Sequence, residues 1–204
     1  HCLQKGWGKG ENRKLREMTT RRLVLRRFLK SDGEGLYDYL SDPEVVKYEP
    51  YEPYTREMAE QEAARRAEDQ NFWAVCLLDG ALLGNVYFAE GEFDTWELGY
   101  VFNRKYWGKG YAGEAARALL DLGFTEWGMH RVTAMCNPEN ERSWRLLERL
   151  GMRREGNLRK NIFFFRNEQG EPLWQDTYEY GLLREEWEPV SYTHLRAHET
   201  RGNL

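Results

Sequence analysis

The chain has 204 residues, of which 41% are hydrophobic and 31% charged, with a formal net charge of -4. This composition is typical of one globular domain, and the acidic balance argues against nucleic acid or an anionic membrane as a partner. With no apolar run near the ~18 residues of a membrane helix and no signal-peptide pattern, we expect a cytoplasmic protein, monomeric or homodimeric.

The two ends differ in pattern from the body of the chain. Residues 1–17 show no sustained apolar period, whereas the segment after Met18 alternates apolar and polar residues as a strand does. We expect a non-native or disordered leader at 1–17, one domain at 18–187 and a non-native tail at 188–204.

The body predicts the element order β-αα-βββ-α-β-α-ββ. The predicted elements are a first strand after Met18, helices from Ser31-Asp32 and from Thr55 to about Asp69, a hairpin turning at Asp79-Gly80, a strand at 93–102, a helix at 109–127, a strand at 131–136, a helix at 140–150 ended by Gly151, and a closing hairpin from Asn161 that turns near Gln169-Gly170. This order predicts an α/β fold of the α+β type, with helices packed on a mixed sheet.

Cysteine and histidine are too few and too scattered for several kinds of chemistry. Cys2, Cys76 and Cys136 lie far apart and form no C-x-x-C pair, which argues against a disulfide framework or a zinc site. His130 is the one histidine outside the end segments, so a catalytic triad would have to be built around it. We predict no metal.

The segment NRKYWGKGYA, residues 103–112, joins a predicted strand to a predicted helix. Gly108 and Gly110 allow a sharp turn and a close approach of the backbone to a ligand. The helix adds free N–H groups and the positive end of its dipole. Arg104, Lys105 and Lys109 provide further positive charge beside these glycines. The pattern predicts a pyrophosphate-binding loop.

Two other interpretations of this loop stay open. Gly108, Gly110 and Gly113 also satisfy the dinucleotide fingerprint G-x-G-x-x-G. Against that interpretation, five residues separate Phe102 from Gly108, and the chain finishes in antiparallel hairpins rather than further parallel β-α units. In the second interpretation the glycines serve only a tight turn.

The segment NRKYWGKGYAGEA, followed by a strand and then by NPENERSWRLLERLGMRREG, resembles the GNAT superfamily of N-acetyltransferases. More narrowly, it resembles the branch of the ribosomal-protein-alanine acetyltransferases. The family's pyrophosphate motif, Arg/Gln-x-x-Gly-x-Gly/Ala, is matched by Lys105, Gly108 and Gly110, with Lys105 departing from the usual first residue. The family's second motif, an Asn that opens a helix ending in Leu-Gly-Phe/Met, is matched by Asn140 and 150–152.

The resemblance spans about residues 18–187 and implies a splayed, mostly antiparallel GNAT-type sheet of about seven strands with about four helices. It implies that acetyl-CoA is the cosubstrate and lies where strands 93–102 and 131–136 separate. The implied acetyl-CoA contacts are Tyr100, Val101, Phe102, Arg104, Lys105, Trp107, Gly108, Lys109, Gly110, Tyr111, Ala112, Asn140 and Ser143.

The implied reaction is transfer of an acetyl group to a primary amine, on a small molecule or a protein N-terminus, by direct attack in a ternary complex. A non-catalytic acetyl-CoA-binding or sensor module on the same fold is the alternative. The acceptor is expected between the 31–69 region and the closing hairpin, where the segment KYEPYEPY offers acidic and aromatic contacts to a cation. A proline-braced, solvated loop is the other interpretation of that segment.

Glu97, in the strand segment WELGY, is the candidate general base, because an ammonium cannot attack a thioester. A free α-amine, with a pKa of about 8, is far easier to deprotonate at pH 7 than a lysine, with a pKa of about 10.4. Glu97 could instead be a polar residue on an exposed strand face, with water as the base. Asp176 and Tyr178 are lesser candidates for orienting the acceptor, or members of cross-strand pairs.

Ser143 is the candidate for assisting departure of the thiolate. Many family members use a tyrosine seven residues after the motif's Asn, where this chain has Leu147. The alanine acetyltransferase branch carries a serine three residues after the Asn, which Ser143 matches. Ser143 could instead only satisfy N–H groups at the helix start beside Asn140.

Overall fold

A computed structural model describes residue 15 and residues 17–187. The predicted tail lies outside the described residues, as does all of the predicted leader except Leu15 and Glu17. Leu15 packs against the hydrophobic core, and Glu17 begins the first strand and pairs with Arg26.

The described residues form four helices of eight residues or more and eight strands. The helices are α1 (Gly33–Leu40), α2 (Arg56–Ala67), α3 (Tyr111–Thr125) and α4 (Glu141–Arg149). The strands are β1 (Glu17–Thr19), β2 (Leu23–Arg26), β3 (Phe72–Leu77), β4 (Leu82–Glu90), β5 (Thr95–Phe102), β6 (Arg131–Cys136), β7 (Arg153–Ile162) and β8 (Gln175–Leu183). Short 3₁₀ helices occupy Lys30–Asp32 and Arg104–Tyr106.

All eight strands belong to one sheet, in the order β1-β2-β3-β4-β5-β6-β8-β7. Neighbouring strands are antiparallel except β5 and β6, which are parallel. The predicted fold class is therefore confirmed, with eight strands in place of about seven. Within the described part of the chain, none of the helices combines the length and the apolar character needed to cross a membrane.

The eighth strand comes from the N-terminal segment, which the sequence pattern predicts as one strand. The chain turns after β1, where Thr20 Oγ1 accepts a hydrogen bond from the Leu23 backbone N–H at 3.1 Å. The Thr20 N–H donates to the Leu23 carbonyl at 2.8 Å. Apolar residues alternate on both sides of this turn, at Met18 and at Leu23 and Leu25, so periodicity alone does not locate it.

The closing hairpin begins earlier than the sequence pattern predicts. The predicted first strand starts at Asn161, in the aromatic run, whereas β7 spans Arg153–Ile162 and most of the aromatic run is loop. β7 is an exposed edge strand rich in charge, so it lacks the apolar alternation that marks a strand. The predicted turn is confirmed, because the Gly170 N–H donates to the Asn167 carbonyl at 2.9 Å.

Helix ends agree closely with the sequence signals. Thr55 caps α2 by accepting a hydrogen bond from the Met58 N–H at 3.2 Å. Gly151 follows α4 with a φ of 91° and donates its N–H to the Glu148 carbonyl at 3.0 Å. The helix predicted at 109–127 runs only from Tyr111 to Thr125.

Helices cover both faces of the sheet. In β3, Trp73 and Val75 belong to the core under α3 and α4, whereas Ala74 belongs to the core under α1 and α2. Successive side chains of a strand point to opposite faces, so a strand covered on both sides is apolar throughout. Trp96 and Trp127 stack in the α3 core with ring centroids 5.6 Å apart.

The strands β5 and β6 are paired over three residues each. Their register joins Thr95–Glu97 to Arg131–Thr133. Beyond this point the two strands separate, and residues from both line a cavity between them. The predicted splay of the sheet is confirmed, and it creates the opening in which the candidate site lies.

Candidate active site

Two cavities meet at the opening between β5 and β6. The larger, which we call the α3 cavity, has a volume of about 960 Å³ and lies between the segment 106–113 and α4. The smaller, which we call the sheet cavity, has about 560 Å³ and lies between α2, the separated strands and β8. Both volumes are typical of small-molecule sites. The residues that line both cavities, which we call the junction, are Tyr48, Glu49, Tyr100, Val101, Asn140 and Ser143.

The loop from β5 to α3 forms one wall of the α3 cavity. Gly108 and Gly110 have φ angles of 74° and 81°, in the left-handed region that favours glycine. Space for a Cβ at Gly108 is open. Tyr111 and Ala112 line the cavity as the first residues of α3, where N–H groups have no intrahelical acceptor. This geometry fits a loop that binds phosphate.

The three cations predicted to charge this loop line neither cavity. Arg104 pairs with Asp42 at 2.9 Å, and Lys105 pairs with Asp38 at 3.1 Å. Lys109 is exposed. Two of these side chains therefore attach the loop to α1 and the residues after it, and the loop brings backbone rather than cationic side chains to the cavity.

Three arginines that the sequence analysis missed line the α3 cavity instead: Arg117, Arg142 and Arg149. The Arg142 guanidinium carbon lies 3.7 Å from the centroid of the Trp107 ring. Arg142 and Arg149 are seven residues apart on α4, which places them on one face of the helix. This seven-residue spacing is visible in the sequence and could have indicated a positively charged helix face. Guanidinium groups bind phosphate oxygens in pairs of hydrogen bonds, so this wall suits a diphosphate.

The α3 N-terminus is fixed to the β1–β2 turn by Glu114. Its carboxylate accepts hydrogen bonds from Thr20 Oγ1 at 2.6 Å and from Arg22 Nε at 2.7 Å. Burial alone raises the pKa of Glu114, but these hydrogen bonds outweigh burial and lower it. Arg22 Nη1 also donates to the Lys109 carbonyl at 2.9 Å, so the same arginine holds the loop.

At the junction, the structure brings Tyr100, Asn140 and Ser143 together. The Asn140 side-chain oxygen accepts a hydrogen bond from the Ser143 N–H at 3.4 Å and caps α4. The Tyr100 hydroxyl lies 2.9 Å from Ser143 Oγ and donates to the Ser143 carbonyl at 3.0 Å. Burial raises the pKa of Tyr100, so its hydroxyl stays neutral at physiological pH. Ser143 therefore has a hydroxyl partner that the sequence did not reveal.

No thiolate is available beside this pair at neutral pH. Cys136 lines the sheet cavity, and burial raises the pKa of its thiol to about 11, against the opposing effect of a hydrogen bond with Ser143. A neutral thiol is a weak nucleophile, so Cys136 is poorly suited to a covalent acyl intermediate. Among the described residues, no group of three or more His, Cys, Asp or Glu side chains could hold a metal ion.

Glu97, the base candidate of the sequence analysis, lies away from the junction. It is the last residue of β5 that pairs with β6, and its side chain is exposed. It lines neither the α3 cavity nor the sheet cavity. The geometry thus matches the alternative of a polar residue on an exposed strand face.

The segment KYEPYEPY forms one end of the sheet cavity. Tyr48, Glu49, Tyr51 and Tyr54 line the cavity, whereas Glu52 is exposed and does not. The rings of Tyr51 and Tyr54 contact each other edge to face, with centroids 5.1 Å apart. These contacts favour the interpretation of this segment as part of a binding pocket over that of a solvated loop.

The floor of the sheet cavity contains a buried arginine that the sequence analysis missed. Arg66 Nη1 donates to Asn85 Oδ1 at 3.1 Å, and its guanidinium carbon lies 4.3 Å from the centroid of the Phe72 ring. At the β8 side, Asp176 lines the cavity and accepts a hydrogen bond from the Lys160 N–H at 2.8 Å. Tyr178 lies outside the cavity lining, beneath the Arg154 guanidinium at 3.7 Å.

Comparisons with known proteins agree with this fold and site. The family described as "Acetyltransferase (GNAT) domain" matches residues 22–153. The uncharacterized N-acetyltransferase YnaD of Bacillus subtilis is 40% identical over 174 residues, 83% of this chain and 98% of that protein. The crystal structure of a GNAT-family acetyltransferase from Bacillus anthracis is 38% identical, with a TM-score of 0.75 over 83% of this chain and 99% of that one. The ribosomal protein uS5-alanine N-acetyltransferase of Escherichia coli is 31% identical over 99 residues, 48% of each chain.

A splayed mixed sheet with a glycine loop at its opening, together with these similarities, identifies an acyltransferase. The chain belongs to the GNAT family of acetyltransferases. Within that family it is an acetyl-CoA-dependent N-acetyltransferase, as the sequence motifs predict.

Proposed function

We propose that this protein acetylates a primary amine by direct attack in a ternary complex, with acetyl-CoA in the α3 cavity and the amine in the sheet cavity. The observation that carries the proposal is that two cavities of different chemistry meet at one junction. A ternary mechanism requires two sites with a common boundary, because both reactants must be bound at the same time. The neutral Cys136 thiol supports direct transfer rather than a covalent enzyme intermediate.

In this proposal the residues of the α3 cavity bind the phosphates of acetyl-CoA and stabilise the departing sulfur. Backbone N–H groups from Gly108 to Ala112 and the guanidinium groups of Arg117, Arg142 and Arg149 would hold the phosphates. Acetyl-CoA supplies the acetyl group as an activated thioester. Ser143, hydrogen-bonded to Tyr100, would stabilise the departing sulfur with a hydroxyl hydrogen bond.

The sheet cavity is suited to a cationic acceptor. Three carboxylates line it, from Glu49, Glu62 and Asp176, together with a set of tyrosine rings. Carboxylates and aromatic faces both attract an ammonium group. The similar Escherichia coli enzyme is an alanine N-acetyltransferase of ribosomal protein uS5. We infer that the acceptor here is likewise an amine, on a protein N-terminus or on a small molecule.

A panel of primary amines tests this function. The panel includes alanine-ended peptides, polyamines and aminoglycosides, and release of the CoA thiol is measured in the presence of acetyl-CoA. We expect at least one amine to accelerate thiol release, with a product 42 Da heavier by mass spectrometry, since acetyl replaces hydrogen (about 42 Da). Tight binding of acetyl-CoA by calorimetry, with no turnover by any amine, would instead identify the non-catalytic sensor.

A further inference from the structure

The junction is where proton transfer has to occur. If acetyl-CoA occupies one cavity and the amine the other, the attacking nitrogen meets the acetyl carbon at their common boundary. Glu49 is the one carboxylate among the six residues that line both cavities. The other five residues, which include two tyrosines, an asparagine and a serine, have no basic group at neutral pH. Geometry therefore selects Glu49 from all described residues.

The other two carboxylates that line the sheet cavity each have a bonding partner. Glu62 forms an ion pair with Arg65 and lies 3.8 Å from Arg66 Nε. Asp176 accepts a backbone hydrogen bond from Lys160. Both line the sheet cavity but not the α3 cavity.

The Glu49 carboxylate is free to accept a proton. It is partly buried, and no described residue donates a hydrogen bond to it or forms an ion pair with it within 4 Å. Burial raises the pKa of this carboxyl to about 7, and the positive charge of Arg66 limits the rise. A carboxyl near pH 7 combines a large ionised fraction with appreciable basicity, which is the best compromise for a general base.

The backbone around Glu49 is anchored on both sides. The Glu49 N–H donates to the Val46 carbonyl at 2.9 Å, and Val46 is buried in the α1–α2 core. The neighbouring Tyr48 hydroxyl reaches across to the Glu139 carbonyl, at 3.2 Å, just before α4. A base has to be held in place to act, and these contacts fix Glu49 between the two cavities.

We propose that Glu49 is the general base of the transfer reaction, which rests on the function proposed above. An ammonium acceptor gives its first proton to the Glu49 carboxylate, and the nitrogen lone pair forms the C–N bond with the acetyl carbon. The C–S bond breaks, and its electron pair leaves with sulfur as the thiolate. The second nitrogen proton, released as the amide forms, neutralises the thiolate, and Glu49 returns its proton to solvent.

Several charged or titratable groups surround this carboxylate and contribute to its pH dependence. On its own segment and α1 they are Tyr39, Glu44, Lys47, Tyr48, Tyr51 and Tyr54; from α2 they are Glu62, Arg65 and Arg66; from β4, β5, β6 and β8 they are Tyr87, Tyr100, Cys136 and Asp176; from α3 and the loop before it they are Tyr106, Tyr111 and Arg117; and around α4 they are Glu139, Glu141, Arg142 and Arg149. Burial raises the pKa of Tyr39, Tyr51, Tyr54, Tyr100 and Cys136, so these groups stay neutral at pH 7, and the charge around Glu49 comes from carboxylates, arginines and Lys47.

The decisive experiment is the pH profile of kcat/KM with an alkylamine whose own pKa is about 10. If Glu49 deprotonates the bound ammonium, the wild-type profile rises through pH 7, stays level, and falls above pH 10. In Glu49→Gln the break at pH 7 should vanish, and kcat/KM at pH 8 should fall about 100-fold or more. The Kd of acetyl-CoA should change less than about twofold, because the base acts on the amine.

Glu52→Gln is the matched control, since Glu52 lies three residues away, is exposed and lines neither cavity. It should leave the profile unchanged. A Glu49→Gln enzyme that retains both the break at pH 7 and a rate within about twofold of wild type would overturn the proposal. Loss of the break in Glu97→Gln alone would assign the base to Glu97 and also overturn it.

A second measurement does not depend on catalysis. In protein labelled with ¹³C-glutamate, one carboxyl carbon should titrate near pH 7 in the wild type and be absent from Glu49→Gln. If no carboxyl titrates near pH 7, the role of Glu49 is refuted while amine acetylation can still stand. If that carboxyl titrates near pH 7 but no amine in the panel is acetylated, the proposed function itself fails, and the role of Glu49 with it.

Discussion

The two cavities differ in how their lining residues are distributed along the sequence. Most of the α3 cavity comes from two short stretches, 106–113 and 139–149, each continuous in sequence. The sheet cavity instead takes a few residues each from α2, α4, the six strands β3 to β8 and the loops between them. A site made of continuous stretches leaves a motif in the sequence, whereas a site made of scattered residues does not. The sequence motifs therefore predicted the cosubstrate, whereas no motif indicated the acceptor.

The largest expected effect is on the binding of acetyl-CoA in the α3 cavity. Gly108→Asp adds a negative charge where the loop is proposed to receive phosphate, at a position with open space for a Cβ. Asp tolerates the left-handed backbone at this position, so the variant should fold. We expect the affinity for acetyl-CoA, measured by calorimetry, to fall about 100-fold, or ~2.7 kcal/mol.

Gly108→Asn is the matched control, because it has the shape of Asp without its charge. Its affinity should stay within about fivefold of the wild-type value, since a few tenths of a kcal/mol of strain are expected. Equal affinity in Gly108→Asp and wild type would show that the phosphates lie elsewhere, and the contrast between the two cavities would lose its basis.

A smaller effect is expected at the junction, where the cavities meet. Ser143→Ala removes the hydroxyl that Tyr100 contacts at 2.9 Å, and we expect kcat to fall about 10- to 30-fold, or ~1.4–2 kcal/mol. Binding of acetyl-CoA should change little. If Ser143 serves only the start of α4, the substitution lowers the melting temperature and leaves kcat within about twofold of wild type when chemistry limits turnover.

The smallest expected effect is on the affinity for CoA, and it compares an arginine of the α3 cavity with a cation of the glycine loop. Arg142→Ala removes a guanidinium from the α3 cavity, and the Kd of CoA should rise about 5- to 10-fold, or ~1–1.4 kcal/mol. Lys105→Ala breaks only an exposed ion pair with Asp38, so its Kd should stay within about twofold. A larger loss in Lys105→Ala than in Arg142→Ala would restore the assignment made from the motif. The difference should shrink at high salt, because screening weakens charge interactions.

Sequence reasoning succeeded where a local rule acts over adjacent residues. The caps at Thr55 and Gly151, the glycine loop and the order of helices and strands along the chain all follow from neighbouring residues. It failed for β7, because an exposed edge strand carries no apolar period. It also placed positive charge on Arg104 and Lys105, since a motif shows that cations are near the loop but not which way they point.

The junction shows the same limit in its acid–base groups. Glu97 was chosen from the strand motif, but strand pairing leaves its side chain on an exposed face. Glu49 was visible in the sequence only as one of several acidic residues in KYEPYEPY. Its position depends on the contacts that Tyr48 and Val46 make with distant elements, and a periodicity or capping rule cannot supply those contacts.

The short pairing between β5 and β6 also bears on how the sheet opens. It divides the sheet into two antiparallel groups, β1–β5 and β6–β8–β7, that meet through three residues on each side. The flanking β4–β5 and β6–β8 pairings each join at least six residue pairs, so opening the sheet between β5 and β6 disrupts fewer backbone pairings than opening it at either flank. We therefore expect the backbone amide hydrogens of the β5–β6 pairing to exchange with solvent faster than those of the two flanking pairings, measured by native-state hydrogen exchange.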